Sequence, residues 1–369
     1  MNQISKRSEY MEWAKTCSMA RFNLATSGLT NTSTAEFPLA RADMEITGPG
    51  GYGFAPLQER IAGHTGAPIE CVVAATGASM ANFLAMSAVL NPNDEVLIER
   101  PAYGLFEDIA NYLGARVSYL ERAPAADFAV NIEGLEKAIT PESKLVVLSN
   151  LHNPSGALLS ENVLLEIGRL AQRASLRVLV DEVYLEMLFD QPAAAAFEVG
   201  HKLSNGENPF VVTNSLTKTY GLSGLRCGWI LAAPALAHRI WRLNDLFGVN
   251  AAHVAEQMSV AAFDRLDVLR AKARKLLTAN RVLLAAFLDA HRELECFRPI
   301  AGSVVFPKLP TRDPESFFAL LRDKYETSVV PGRFFGMPRH FRIGIGGATE
   351  NVRGGLERLD AALTEFARG

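Results

Sequence analysis

The chain has 369 residues and a formal net charge of −3, from 37 Lys and Arg against 40 Asp and Glu. Hydrophobic residues make up 49% and charged residues 21%, which excludes a disordered or fibrous chain and fits a globular enzyme. The near-neutral balance argues against nucleic acid or an anionic membrane as partner, since neither would meet an attractive field. No uninterrupted apolar run reaches the roughly 18 residues needed to span a bilayer. The opening MNQISKRSEYMEW lacks the apolar centre of a secretory signal, so a cytoplasmic setting is expected. Cys17, Cys71, Cys227 and Cys296 are scattered without CxxC or Cys/His spacing, which predicts reduced, mostly structural thiols and no metal site.

After an irregular first fifty residues, short β-branched runs alternate with helical patterns. In chain order the spacing predicts a helix over 78–90, a strand over 95–98, a helix over 104–113 and a strand over 117–120. A helix over 131–139, a strand over 144–149, a helix over 161–174 and strands over 177–180, 210–213 and 229–232 follow. Apolar strands alternating with helices predict an α/β fold with a mainly parallel sheet flanked by helices, and chemistry at the C-terminal strand ends. Near residue 250 the texture changes. One long helix over 253–289 precedes a strand at 303–309, a helix at 314–325, a strand at 341–345 and a final helix from 349. The expected division is an N-terminal arm (1–47) packing with the small domain, a large domain (48–250) and a smaller α/β domain (251–369).

The segment richest in chemistry is Ser215-Leu-Thr-Lys218-Thr-Tyr-Gly-Leu-Ser-Gly224-Leu-Arg226-Cys-Gly228. Its lysine follows a predicted strand, and Gly221, Gly224 and Gly228 permit close backbone approach. The hydroxyls of Ser215 and Thr217 and the fixed cation of Arg226 suit a phosphate dianion. A lysine beside a bound phosphate points to an amine that forms an imine with pyridoxal phosphate. Upstream, Arg177-Val-Leu-Val-Asp181-Glu-Val-Tyr184 is a buried strand ending in a carboxylate, which unaided could cap a loop or pair with an arginine. Asn153-Pro-Ser-Gly156 is good turn chemistry after an apolar strand. Ala75-Thr76-Gly77-Ala78-Ser79 opens a helix whose free N–H groups could hold an anion, although Ser79 could equally be a helix cap. Tyr103 reads as a half-buried core tyrosine. Arg342, on a predicted apolar strand, needs an anion, which unaided could be a salt-bridge partner in the small domain.

The lysine segment resembles the SLSK-x(3)-L-x-G-x-R-x-G motif of class I/II aminotransferases, the fold-type I pyridoxal-phosphate enzymes related to aspartate aminotransferase. The other motifs stand in the family's order, and the likeness covers nearly the whole chain, weakest over the first fifty residues. It implies a seven-stranded-type sheet, pyridoxal 5′-phosphate as cofactor and Lys218 as the catalytic amine. It assigns the phosphate to Ala78, Ser79, Ser215 and Arg226, ring stacking to Tyr103, and the pyridine nitrogen to Asp181. Asn153 and Tyr184 meet the phenolate oxygen, and Arg342 with Asn153 grips the substrate carboxylate; Glu182 is left a structural part.

The implied reaction moves an amino group between an α-amino acid and a 2-oxo acid, with a C–S β-lyase or another Cα-carbanion enzyme as the alternative. A homodimer with shared active sites is implied as well. Here the sequence departs from the pattern. Gln58 stands where arginine is common and Thr217 where serine is, and Tyr52 or a residue near Asn250 is left to reach the neighbouring subunit's cofactor. No second arginine can be assigned to a dicarboxylate side chain.

Overall fold

The computed structural model describes residues 6–36, 44–203, 207–311 and 313–368; parts of the expected N-terminal arm, 1–5 and 37–43, lie outside the described residues. Its centre is a seven-stranded sheet of β1 (Val72–Thr76), β2 (Glu95–Arg100), β3 (Arg116–Glu121), β4 (Ser143–Ser149), β5 (Arg177–Asp181), β6 (Phe210–Ser215) and β7 (Cys227–Leu231). The spatial order is β1-β7-β6-β5-β4-β2-β3. Pairs from β6 to β3 are parallel, and β7 is antiparallel to both its neighbours. The protein is therefore α/β with a mainly parallel sheet, as the alternation of strands and helices predicts. All six strands predicted for the large sheet are present within two residues of their expected ends.

The reason lies in burial on both faces. Val146, Leu148, Val178 and Val180 belong to one core, and Leu145, Val147 and Leu179 to the core on the opposite face. Strands covered on both sides lose the polar alternation of a half-exposed sheet and read as continuous apolar runs. The helix Gly77–Val89 packs on β1, β6 and β7, while Glu161–Ala174 turns Leu164, Ile167 and Ala171 to the other face. Ser160 caps that second helix by accepting from the Val163 N–H at 3.4 Å.

A third core gathers Leu277, Leu284, Phe317, Phe341, Leu356 and Leu359 with Leu24 and Leu29 of the N-terminal stretch. A three-stranded antiparallel sheet of Val330–Pro331, Phe341–Gly344 and Val304–Val305 accompanies it. Gly344 is needed there because a Cβ would stand 2.2 Å from the Thr26 carbonyl oxygen.

Several expectations are corrected. The first fifty residues are not wholly irregular: Glu9–Thr16 is a helix capped by Ser8, and Phe22–Asn23 pairs in parallel with Thr327–Ser328. Edge strand β1 and helices Ala55–Thr65, Ala196–His201 and Pro234–Asn244 escaped notice. The single helix expected over 253–289 is two, His253–Phe263 and Leu266–Ala290, broken where Arg265 leaves helical geometry at φ −120°, ψ 5°. The first piece packs on Ala55–Thr65 and the second on Thr349–Phe366, so the break lets the chain change partners. The strand expected at 303–309 is reduced to Val304–Val305 with an isolated bridge at Lys308, because Pro307 has no N–H for the ladder.

Candidate active site

Three strand ends build the site. β5 ends on Asp181, β6 ends on Ser215 just ahead of Lys218, and β1 runs directly into the helix Gly77–Val89. Parallel strands deliver their C-terminal loops to one edge, and a cleft forms there.

Asp181 is buried, which pushes its carboxyl above the ordinary aspartate range against the pull of its hydrogen bonds and the Lys218 charge. Its Oδ2 accepts from the Asn82 amide at 2.8 Å and its Oδ1 from the Val183 N–H at 3.2 Å. The Thr213 hydroxyl donates to Asn82 Oδ1 at 2.6 Å, which fixes the orientation of that amide. Lys218 reaches across with Nζ 3.3 Å from Ser27 Oγ and 5.9 Å from the centre of the Tyr184 ring. Ser27 Oγ is also 2.7 Å from the Tyr184 hydroxyl, so one serine links both groups.

At the start of the helix Gly77–Val89, Thr76 occupies the cap position but its side chain makes no capping bond. The first-turn N–H groups, those of Ala78 and Ser79 included, are left for an outside acceptor. Ser79 lies inside the helix rather than capping it. Arg226, at φ 52°, crosses this helix start and donates to the Thr76 carbonyl at 3.3 Å. Glycine suits position 77 because its φ is +76°, and it is required at 228, where a Cβ would meet the Gly77 carbonyl carbon at 2.5 Å. Gly221 also fits a close approach, with φ +67° and the Thr30 carbonyl oxygen 2.2 Å from any added Cβ. Gly224 does not, since nothing lies within 4 Å of its added Cβ, and that expectation is corrected.

Arg342 is only 2% exposed. It donates to Asn153 Oδ1 at 2.8 Å, to the Ala25 carbonyl at 2.9 Å and to the Tyr10 hydroxyl at 3.4 Å, while its Nε has no partner. Among the described residues no carboxylate pairs with it, so the alternative of a salt bridge within the small domain is not found. Tyr103 stands edge-on to Phe106 and Tyr10, at 5.6 and 5.5 Å between ring centres, and burial keeps its phenol protonated far above the usual range. Ser215 is buried and accepts from the Thr217 N–H at 3.3 Å.

All ten expected residues (Ala78, Ser79, Tyr103, Asn153, Asp181, Tyr184, Ser215, Lys218, Arg226 and Arg342) line one cavity of about 320 Å³. Tyr10, Ser27 and Asn82 line it too and were missed. Asn82 had a signal, an amide inside an otherwise apolar helix, where such a residue is unfavourable without a partner. Tyr52 and Asn250 lie outside the cavity: the Tyr52 hydroxyl donates to Asp245 at 3.2 Å, and the Asn250 amide donates to the Gly51 carbonyl at 3.0 Å.

The chain matches the family model "Aminotransferase class I and II" over residues 36–359. It belongs to that family. This aminotransferase is 28% identical over 306 residues to capreomycidine synthase of Streptomyces vinaceus, covering 82% of this chain and 77% of the relative. It is 28% identical over 310 residues to the arginine–pyruvate transaminase of Pseudomonas aeruginosa, covering 80% and 76% of the two chains. A solved pyridoxal-phosphate-dependent aminotransferase from Streptococcus suis has the same fold, with a TM-score of 0.89 at 23% identity over 98% of this chain and 99% of that one. The enzyme is thus a pyridoxal-phosphate-dependent aminotransferase acting on amino acids and 2-oxo acids, and the C–S lyase alternative is not favoured.

The far side of the strand bearing Asp181 carries further buried charge. Glu186 accepts from His64 Nε2 at 3.1 Å, from the Asn214 amide at 3.2 Å and from the Tyr220 hydroxyl. Burial opposes ionisation of Glu186, but His64 and Tyr220 outweigh it and its pKa falls below the ordinary value. Among the described residues the Glu182 carboxyl accepts from the Ala196 N–H, at 2.8 Å, and burial pushes it up to about 8. Folded protein therefore keeps a proton on Glu182 that unfolded protein releases above its ordinary pKa of 4.5, so stability falls as pH rises from there to about 8. Thermal melts between pH 5 and 8 should show a shallower fall for Glu182→Gln than for wild type; parallel curves would contradict this assignment.

Proposed function

We propose that the cavity seats pyridoxal 5′-phosphate between Asp181 and Lys218 and the substrate carboxylate on Arg342. The observation that carries this reading is the Arg342 guanidinium, almost wholly buried with no carboxylate partner, lining the same cavity as Lys218 and Asp181. A buried cation without an anion is costly, and a bound carboxylate supplies a bidentate one. The N–H groups of Ala78 and Ser79, with Ser215 and Arg226, suit the cofactor's phosphate. Asp181 would hold the pyridine nitrogen, Tyr184 and Asn153 the phenolate oxygen, and Tyr103 would pack on the ring. When bound, the cofactor supplies an aldehyde for the substrate amine and a ring that accepts the Cα electron pair.

The chain's own groups do the rest. Arg342 and Asn153 fix the carboxylate and hence which Cα bond faces Lys218. Lys218 Nζ would take the Cα proton and later return it, acting first as base and then as acid. Ser27 holds that nitrogen at 3.3 Å, on the side of Tyr184. Asp181, anchored by Asn82 and Val183, offers its carboxylate where water is excluded.

The same reading divides the chain into the arm (1–47), the cofactor-binding domain (48–250) and the small domain (251–369), and sets the enzyme in the cytoplasm, in keeping with its four free cysteines. A homodimer with shared sites belongs to it. Ile46, Leu246, Phe247 and Val249 are 89%, 77%, 49% and 61% exposed, and the Tyr52 and Asn250 contacts join their two loops into one apolar face. We assign that face to a second copy, with Tyr52 or Asn250 the residue nearest its cofactor. Sedimentation should give a dimer that Phe247→Glu weakens at least tenfold; a wild-type monomer at micromolar concentration would end this part of the reading.

For the reaction, an amino acid alone should convert the cofactor's absorbance to the amine form, and a 2-oxo acid should restore it. Lys218→Ala should lower turnover by about 10³-fold or more while retaining cofactor. Full activity in that variant would remove Lys218 from the mechanism.

A further inference from the structure

Directly behind the Asn153 turn lies an ion pair with no access to water. Glu99, at the end of β2, and Arg122, just past β3, are joined at 2.6 Å with both side chains at 0% exposure. Such a pair contributes little net stability, because desolvating two charges offsets their attraction. Its place in the fold gives it another role. The second oxygen of Glu99 accepts from the Ser149 N–H at 2.7 Å and from the Ser149 hydroxyl at 2.5 Å. With its proton committed to Glu99, Ser149 Oγ accepts from the Asn153 N–H at 3.0 Å. Asn153 Oδ1 accepts in turn from Arg342 at 2.8 Å. Hydrogen bonds thus link Arg122 to Glu99, Glu99 to Ser149, Ser149 to the Asn153 backbone, and the Asn153 side chain to Arg342.

The donor directions are fixed along these links. Both Glu99 oxygens accept from donors, the arrangement of an ionised carboxylate that Arg122 and Ser149 support against the upward push of burial on its pKa, and the Ser149 hydroxyl donates toward it. The turn is pinned again from its other side by His152. Its Nε2 lies 2.8 Å from the Pro101 carbonyl, which can only accept, so that nitrogen carries the proton and Nδ1 accepts from the Ser155 hydroxyl at 2.6 Å. Burial and the Arg122 charge hold His152 neutral, well below its ordinary pKa.

We propose that Glu99 is a positioning residue for the substrate-carboxylate clamp, acting through Ser149 on the Asn153 turn and through Asn153 on Arg342. The proposal rests on Arg342 being that clamp. Glu99 itself touches neither cofactor nor substrate. It fixes the acceptor against which the guanidinium is set before a carboxylate arrives, which is the preorganisation that lowers the cost of binding.

The test uses Ser149→Ala, which leaves the Glu99–Arg122 pair intact and removes only the hydroxyl between Glu99 and Asn153. Holoenzyme is assayed in the first half-reaction with the amino acid that converts wild type best, and pyruvate serves as the competing carboxylate. The expected result is a rise of about five- to tenfold in KM and in the pyruvate inhibition constant, as for one lost buried hydrogen bond. The rate at saturation and the wavelength of the bound cofactor stay within about twofold and unshifted, respectively. Glu99→Gln should move the same two constants in the same direction; if it does not fold, Ser149→Ala decides alone. Unchanged KM and inhibition constant in Ser149→Ala would overturn the proposal, and so would a loss confined to turnover or cofactor occupancy. Wild-type enzyme that is converted by no amino acid would instead overturn the function on which the proposal rests.

Discussion

A carboxylate held in a dry sheet edge opposite a lysine amine is the interaction on which the rest of this structure depends. Asp181 cannot stay there unaided, and Thr213, Asn82 and the Val183 N–H are spent on holding it. Lys218 reaches the same space from the next strand, steadied by Ser27 and faced by Tyr184. The parallel strands β5 and β6 set these two groups side by side, because their register places Asp181 against Thr213. Closely packed glycines at 77 and 228 then bring a helix start and Arg226 to the same cavity.

Charge is distributed around this cavity in a consistent way. Its cations, Lys218, Arg226 and Arg342, are bound by hydroxyls, carbonyls and an amide rather than neutralised by carboxylates. Asp181 is the carboxylate that lines the cavity, while Glu99 with Arg122 and Glu186 with His64 stand outside it. The inner layer therefore remains open to anionic ligands, while the outer layer fixes the geometry of the inner one. Electrostatic preorganisation of this kind costs folding stability and favours binding of a doubly charged phosphate and a carboxylate.

Much of this was legible in the sequence for a physical reason. Strands buried on both faces write themselves as apolar runs, and residues that meet a phosphate or a ring nitrogen sit at their ends beside glycines and hydroxyls. Lys218, Asp181 and Asn153 each follow such a run directly. Ser27 and Tyr10 could not be read this way, because they enter the cavity through long-range packing: Leu24 and Leu29 join a core made by residues from Leu151 onward, and Tyr10 packs on Phe334 and Phe335. Strand β1 is short and runs without a loop into the helix Gly77–Val89, so no turn marks its end. The break at Asp264 and Arg265 was invisible because the helical period continues across it while the packing partner changes. Glu99 and Arg122 each sit at a strand end, where charge usually meets water, and only their shared burial shows what they do.

The central claim is that the coenzyme's aldehyde carbon is bound to one nitrogen, that of Lys218, with Asp181 at the far end of the ring. Borohydride reduction of the cofactor-loaded enzyme, followed by peptide mass mapping, reads this directly. The account predicts one pyridoxyl group per chain, on the peptide containing Lys218. A label on another lysine, or none on protein that has taken up the cofactor, would contradict it.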